Sequence, residues 1–489
     1  MPIEPNQRYD QYIELRERWP AFHFHGWTLT DNAAETCVTY QFEIPGLAVF
    51  EPTLTFPDKV AGRSSINMFD SPLGRRILFS LGMVELVSYW KATCSPTVLV
   101  HAGWLDETDI FWWKTLYRLG LGEFFYRNGI PPDPNGFMEL RCELPNPAAA
   151  HADALAASAA SPYLPGGNLV PVGGGKDSVV TLELLAEHRE NNVPFLINPT
   201  PAGLNTAAVA GYASEQTISV RRTIHPRLLE LNRMGFLNGH TPFSAIVAFS
   251  AYLTAFRFGF ARIVLSNEAS ANEGNLEGLD VNHQYSKSYA FEHSFMEYAR
   301  RNFGSGIHYF SLLRPFNELQ IARRFAAAPV SYREVFRSCN AGSRENRWCG
   351  QCPKCLFVRL ILAPFLPAEE LDRLIGPLLD DPARIADFDG LTGLTPIKPF
   401  ECVGEAEEVR CAVEWTILHN ILEGRSQPLL LRHYAERMRA LRGAKPVESA
   451  FPPSDIEGIM ERFNEEHAIP EAFMEPVLRM REYVASDIE

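Results

Sequence analysis

No stretch of the 489-residue sequence is apolar for long enough to cross a bilayer. The most apolar run, Pro242 to Phe256, is about 15 residues against the roughly 20 that a spanning helix needs, and Arg257 closes it, so it reads as a buried helix. A basic surplus is also missing. Against 59 Asp and Glu stand 45 Lys and Arg, a formal net charge of −14 whose long-range field repels polyanions and anionic lipid. Neither nucleic acid nor membrane is therefore an expected partner. Met1-Pro-Ile-Glu-Pro-Asn-Gln-Arg8 lacks the basic-then-apolar pattern of a leader, which points to the cytoplasm. The nine cysteines are odd in number and four of them are crowded together, which suits metal binding in a reducing compartment better than a disulfide framework. Internal repeats are absent, and the one biased segment is rich in Ala, Pro and Ser, from Pro145 to Pro165. What remains, 46% hydrophobic and 21% charged, is an ordinary globular composition, long enough for several domains of about 100–200 residues.

The strongest positive signal is Leu169-Val-Pro-Val-Gly173-Gly-Gly-Lys-Asp177-Ser178, which runs on into Val179-Val-Thr-Leu-Glu-Leu-Leu185. An apolar strand ends in three glycines and a helix begins. Glycines let backbone N–H groups turn inward on an anion, and the helix N-terminus adds partial positive charge, so a nucleotide phosphate is the expected guest. The Walker A pattern fails: it requires glycine where Val170 stands and Ser or Thr where Asp177 stands. The run instead resembles the PP-loop of the N-type ATP pyrophosphatases, Ser-Gly-Gly-x-Asp-Ser, which split ATP between the α and β phosphates, with Gly173 in place of the first Ser.

Residues 1–160 read as a mixed α+β region. Cys37–Ile44 and Ala48–Phe56 flank Pro45-Gly46 like a hairpin; Ile77–Cys94 and Asp109–Tyr126 have helical spacing, and Thr97–His101 between them reads as a strand. Trp112, Trp113 and Tyr117 are taken as core rather than as an aromatic cage. The Ala- and Pro-rich segment reads as a linker. Residues 161–330 alternate strands and helices, with strands at Leu169–Val172, Pro194–Asn198, Thr217–Val220 and Arg262–Ser266. That alternation predicts a parallel doubly wound sheet with its ligand at the carboxyl ends of the strands. Residues 331–365 hold the crowded cysteines, and 366–489 read as mainly helical.

Cys339-x9-Cys349-x2-Cys352-x2-Cys355 places four thiols at spacings that let them converge on one tetrahedral ion. Structural zinc is the expected occupant because four thiolates leave no open position; an iron–sulfur cluster is the alternative. Arg333, Arg337, Arg344, Arg347, Lys354 and Arg359 lie around it, either to grip an anionic substrate or as solvated charge. The spacing is one residue longer than the zinc knot of the enzymes that make 7-cyano-7-deazaguanine, which it otherwise resembles.

Together, the Leu169–Val179 loop, Leu265-Ser-Asn-Glu268, Val281-Asn-His-Gln-Tyr-Ser-Lys287 and Arg347-Trp-Cys-Gly-Gln-Cys-Pro-Lys-Cys355 resemble the ATP-dependent UDP-N-acetyl-α-muramoyl-L-alanyl-L-glutamate epimerase family, most clearly over residues 165–365. The resemblance implies an α/β fold with a doubly wound, HUP-like PP-loop core, a four-cysteine metal knot, and the mixed N-terminal and helical C-terminal regions already outlined. It also implies a UDP-sugar-peptide substrate, whose terminal L-glutamate becomes D-glutamate as ATP is split to AMP and pyrophosphate with Mg2+. Gly173, Gly174, Gly175 and Ser178 would hold phosphate, Asp177 would position the magnesium, and Lys176 would offset phosphate charge. Candidates for proton transfer come from the polar insertion after Arg262–Ser266, namely Glu268, His283, Tyr285 and Lys287, with Asn267 and Asn282 as donors to substrate. Cys402 is read as a packing cysteine, with an acid–base role as its alternative. Two other classes stay open here: a PP-loop enzyme that amidates another small acid, and a nucleic-acid-modifying PP-loop enzyme, against which the acidic balance weighs. Oligomeric state is not legible.

Overall fold

The computed structural model describes residues 5–486 except 33, 61–62, 67, 132–135, 160–165, 273, 275–281, 305 and 443–452. Its strands are β1 (Ala21–Asp31), β2 (Glu35–Ile44), β3 (Ala48–Phe50), β4 (Thr53–Pro57), β5 (Lys59–Val60), β6 (Arg63–Ser64), β7 (Thr97–Val100), β8 (Glu139–Cys142), β9 (Asn168–Pro171), β10 (Asn192–Ile197), β11 (Ile218–Arg222), β12 (Arg262–Leu265) and β13 (His308–Ser311). Eleven form one sheet in the order β13-β12-β9-β10-β11-β4-β2-β1-β7-β8, with β3 also on β2, while β5 and β6 pair separately.

The two wings of this sheet follow from their sequences. In β2, Thr36, Val38, Tyr40, Phe42 and Ile44 are buried and alternate with more exposed neighbours, the period of a strand with one face on a core. β2 pairs antiparallel with β1, β3 and β4, so the predicted hairpin is present, interrupted where Glu51 and Pro52 separate β3 from β4. By contrast, the first three residues of β9 and the first five of β10 are all buried, as parallel strands covered on both faces must be. Counting from β9, the parallel strands β9 to β13 lie in the order 3-2-1-4-5. The wings join where β11 pairs antiparallel with β4, Arg221 opposite Thr55 and Arg222 opposite Leu54. Arg222 also clamps the joint through two bonds to the fully buried Glu85, at 2.7 and 2.8 Å.

Two buried helices pack together across the core. Pro72–Trp90 starts at Ser71, whose hydroxyl accepts from the Gly74 N–H, and nearly every residue in it is buried. Phe243–Phe258 is the apolar run anticipated as core, and it stops at Gly259 in the left-handed conformation, φ 69°. Trp113 and Tyr117 are fully buried, with Trp113 stacked on Phe249 and Trp112 on Tyr298. A ligand cage needs open ring faces, so these aromatics pack the core, each contributing about 1.5–3 kcal/mol or more by burial.

The segment read as a linker differs from expectation, because Ala148–Ala159 is a helix. Alanine is the best helix former, and an alanine-rich run needs little tertiary support to coil. The proposed boundary at residues 160–161 lies outside the described residues. After residue 353, helices Pro353–Leu362, Ala406–Leu422, Leu429–Arg442, Pro453–Glu461 and Met474–Ala485 enclose a second core. The fold is thus mixed α/β, with a large sheet rich in parallel pairs and a helical C-terminal region. Among the described residues no helix is long and apolar enough to cross a membrane.

Candidate active site

A cleft of about 390 Å³ opens at the carboxyl ends of β9, β10 and β12. The chain leaves β9 toward β10 on one side and returns to β12 on the other, so the cleft lies at the switch point where open α/β sheets bind ligands. Its floor is the glycine loop. Gly173 and Gly175 line it together with Asp177 and Ser178 on the first turn of the helix Lys176–Leu184. Ser178 Oγ accepts from the Gly173 N–H at 3.0 Å, which closes the loop on itself. Gly174 turns the chain at φ +85°, where a Cβ would lie 2.5 Å from Gly203 N and 2.6 Å from the Ala202 carbonyl carbon. Both obstacles are backbone. Gly174→Ala is therefore expected to cost at least about 2 kcal/mol, from left-handed strain plus a displaced backbone, as a lower denaturation midpoint in urea. An unchanged midpoint would refute that packing. At Gly173 the nearest atom to a Cβ is Ser178 Oγ at 3.9 Å, so the serine of the PP-loop pattern would fit.

Lys176 does not line the cleft. Its ammonium is buried between the carboxylates of Asp177 and Glu318. Burial alone would lower its pKa, but those two negative charges outweigh it, and the pair keeps Lys176 charged and Asp177 ionised. The charge of Lys176 thus reaches the loop through Asp177, whose carboxylate it orients.

Of the proton-transfer candidates, Glu268 and Lys287 line the cleft, as does Asn267. Arg314, fully buried, donates to the backbone carbonyls of Glu268 and Lys287, both at 2.7 Å, and to Glu292 at 2.9 Å. One guanidinium therefore ties together the two ends of the polar insertion, part of which, at 273 and 275–281, lies outside the described residues. Asn282 holds its own turn, accepting from the Gln284 N–H and donating to the Ala271 carbonyl. Tyr285 packs its ring against Phe291 and the apolar core instead of facing the cleft. His283 stands behind the wall, its Nδ1 2.5 Å from Glu123 Oε2 and its ring 4.1 Å from that of His240.

Cys402 lines the cleft as well. Burial alone would raise its thiol, but the Lys287 ammonium and a hydrogen bond with His283 outweigh that and bring it down to about 6. For His283, burial is likewise overcome, by hydrogen bonds to Cys402 and Glu123, and its pKa rises to about 9. Lys287 sits well above its ordinary value because the charges of Cys402 and Glu268 outweigh its burial. His240, buried beside His283, is pushed down to about 3 and stays neutral.

The four cysteines converge. Sγ separations are 4.0 Å for Cys339–Cys352, 3.7 Å for Cys349–Cys355 and 3.5 Å for Cys352–Cys355. A tetrahedron with metal–sulfur bonds of about 2.3 Å has edges of about 3.8 Å, so the sulfurs fit one ion and are too close to surround a multi-iron cluster. Backbone N–H groups of Gly342 and Cys349 point at Cys339 Sγ, and those of Gln351 and Cys352 at Cys349 Sγ, at 3.1–3.4 Å, which stabilises thiolates. The cluster backs the glycine loop: the Arg337 N–H donates to the Gly174 carbonyl at 2.8 Å, and a Cβ on Gly175 would lie 2.8 Å from Ser338 Oγ. Five of the six surrounding basic residues separate into two groups. Arg337 and Lys354 line the cleft, whereas Arg333 pairs with Glu370, Arg347 with Glu345 and Arg359 with Asp372.

Comparison with known proteins follows the same geography. Residues 14–312 match the model of the MurL N-terminal domain, and 335–447 that of the MurL C-terminal domain. The chain belongs to the MurL family. Among MurL relatives, one from Xanthomonas oryzae pv. oryzae is 36% identical over 408 residues, 81% of this chain and 84% of the relative. One from Salinispora tropica is 37% identical over 403 residues, with the same coverage of each. Both are named UDP-N-acetyl-alpha-D-muramoyl-L-alanyl-L-glutamate epimerase. No solved structure matches the chain. The N-terminal MurL match contains the glycine loop, Glu123, Glu268, His283 and Lys287; the C-terminal match contains the four cysteines and Cys402. Arg314 and Glu318 fall between them, and neither carries a motif that a sequence alone would flag.

Proposed function

We propose that the chain converts the terminal L-glutamate of UDP-MurNAc-L-Ala-L-Glu to D-glutamate through an acyl-adenylate, releasing AMP and pyrophosphate, in the supply of peptidoglycan precursors. The substrate comes from the names its relatives carry. The observation that carries the mechanism is that one cleft holds both a glycine loop with Asp177 and Ser178 and the ionisable groups Glu268, Lys287 and Cys402. An α-hydrogen beside a free carboxylate is hardly acidic, because its removal would pile a second negative charge on one small group. Adenylation removes that obstacle, since an acyl-adenylate carbonyl accepts the electron pair as an enolate that nearby donors stabilise. Lys287 and Asn267 line the cleft and would supply those donors, and the strand order is consistent with a doubly wound nucleotide-binding core over residues 161–330.

In this reading Gly173 to Gly175 and Ser178 hold phosphate, Asp177 carries the negative charge that a magnesium ion needs, and Lys176 fixes Asp177. Zinc, redox-inert and content with four thiolates, suits the cysteine knot at 331–365, where it would brace the loop from behind. The helical region 366–489 supplies Cys402 to the wall, and the mixed region 1–160 supplies Glu123 behind it. The proton-transfer candidates are Glu268 and Lys287 at the cleft and His283 behind it; Tyr285 supports the wall from the core.

Incubation with ATP, Mg2+ and UDP-MurNAc-L-Ala-L-Glu in deuterated water tests the reading directly. AMP, pyrophosphate and D-glutamate deuterated at its α-carbon are expected. ADP as the product would sink it, and AMP without α-deuterium would reassign the chain to another adenylating chemistry.

A further inference from the structure

We infer that Cys402 is the base that takes the α-proton of the activated glutamate, positioned by a His283–Glu123 pair that runs back from the cleft. This rests on the adenylation reading above. The thiol is held from three sides. Lys354 donates to the Cys402 carbonyl and Gln284 Nε2 to the Val403 carbonyl at 3.3 Å, which fixes the loop's backbone. The side chain faces the cleft that Asp177, Asn267 and Lys287 also line. Behind it His283 hydrogen-bonds the sulfur, and the Nδ1 of His283 meets Glu123 at 2.5 Å. Glu123 is itself held by Arg127 at 2.5 Å. Carboxylate, imidazole and thiol thus form a line from a buried glutamate to the reaction cleft.

A cysteine that merely packs looks different. Cys94 is fully buried and burial pushes its thiol up, so it stays protonated and inert. Cys402 is instead ringed by cations, Lys287, Lys354 and His283, with Glu401 adjacent in the chain and the neutral His240 beyond His283. The sulfur is therefore a thiolate near neutral pH. In the step it takes the α-proton, forming S–H as the C–H bond breaks, and the bonding pair moves into the acyl-adenylate carbonyl to give the enolate. A proton returns to the opposite face of the carbon from a water molecule, and the hydroxide left behind takes the proton from the thiol, which restores the thiolate and the water. His283 and Glu123 do not touch substrate and act by holding the thiolate.

Two measurements decide it. In deuterated water with Mg-ATP and substrate, the ratio of α-deuteration to AMP released is expected to fall at least hundredfold in Cys402→Ser. A ratio equal to that of the unaltered protein overturns the assignment while leaving adenylation intact; no AMP from the unaltered protein overturns adenylation and this inference with it. The second measurement needs no catalytic variant. Alkylation of Cys402 in the unaltered protein by iodoacetamide, followed by mass spectrometry against pH, is expected to be half-maximal near the thiol's value of about 6. Glu123→Gln should move that midpoint up by about one pH unit, because a weakened imidazolium supports the thiolate less. A midpoint near about 8.5, that of an unperturbed thiol, overturns the proposal. So does a second equivalent of zinc per chain held by Glu123, His240 and His283, since the ion would take the Nδ1 of His283 from Glu123.

Discussion

Cys352→Ala is expected to abolish metal binding at the four-cysteine knot, loosen residues 337–355 and extinguish the proposed ATP-dependent activity. A structural zinc contributes about 10–16 kcal/mol of binding free energy, which becomes folding free energy when the site does not exist in the unfolded chain. The segment has little else to define it: between Cys339 and Cys352 the chain is turn and irregular structure, with one short 3-10 helix at Ser343–Glu345. Its loss also removes the back wall of the glycine loop, the bond from the Arg337 N–H to the Gly174 carbonyl and the contact of Ser338 with Gly175. The expected readings are one metal ion per chain in the parent and none in the variant, together with a melting temperature lower by roughly 10 °C, since the shift per kcal/mol shrinks with chain length to about 1 °C at 489 residues. Chelation of the parent should reproduce the change, and re-addition of zinc should reverse it. A metal-free variant that still releases AMP at the parental rate would show the knot to be dispensable.

Asp177→Asn is the second large effect. Asparagine keeps the shape of the side chain, and Lys176 retains Glu318 as a partner, so the fold is expected to survive. What disappears is the negative charge that faces the cleft from the first turn of the helix. Pyrophosphate release should fall by about 10³-fold, the scale of removing one preorganised electrostatic group from a water-poor site, and excess Mg2+ should not restore it. Circular dichroism and the denaturation midpoint separate this from misfolding. Retention of a tenth of parental activity would remove Asp177 from magnesium binding.

What the sequence made legible divides along the length scale of the contacts. The strand, glycine loop and helix at Leu169–Leu185 are local, so turn chemistry and periodicity reveal them. Convergence of the cysteines was equally readable, because the spacing alone constrains it. The walls of the cleft were not. His283 meets Glu123 across 160 residues, and Arg314 reaches Glu268 across 46. No periodicity encodes such pairings. That Cys402 lines the cleft together with Lys287 and Lys354 is equally hidden, since both lysines are remote in sequence. Short strands escaped for a related reason: β8 and β13 span only four residues each and are defined by their partners, β7 and β12. The alanine-rich segment failed in the opposite direction, since its prolines suggested a linker where alanine propensity makes a helix.

The pairing of β11 with β4 bears on how the protein comes apart. Because Arg221 and Arg222 complete their ladder on Thr55 and Leu54, neither wing of the sheet has a finished edge without the other. A fragment beginning near residue 161 would present the bare backbone of β11 as a template for intermolecular pairing. The two wings of the sheet are therefore expected to unfold together, and the cleft at the carboxyl ends of β9, β10 and β12 is backed by strands that do not line it.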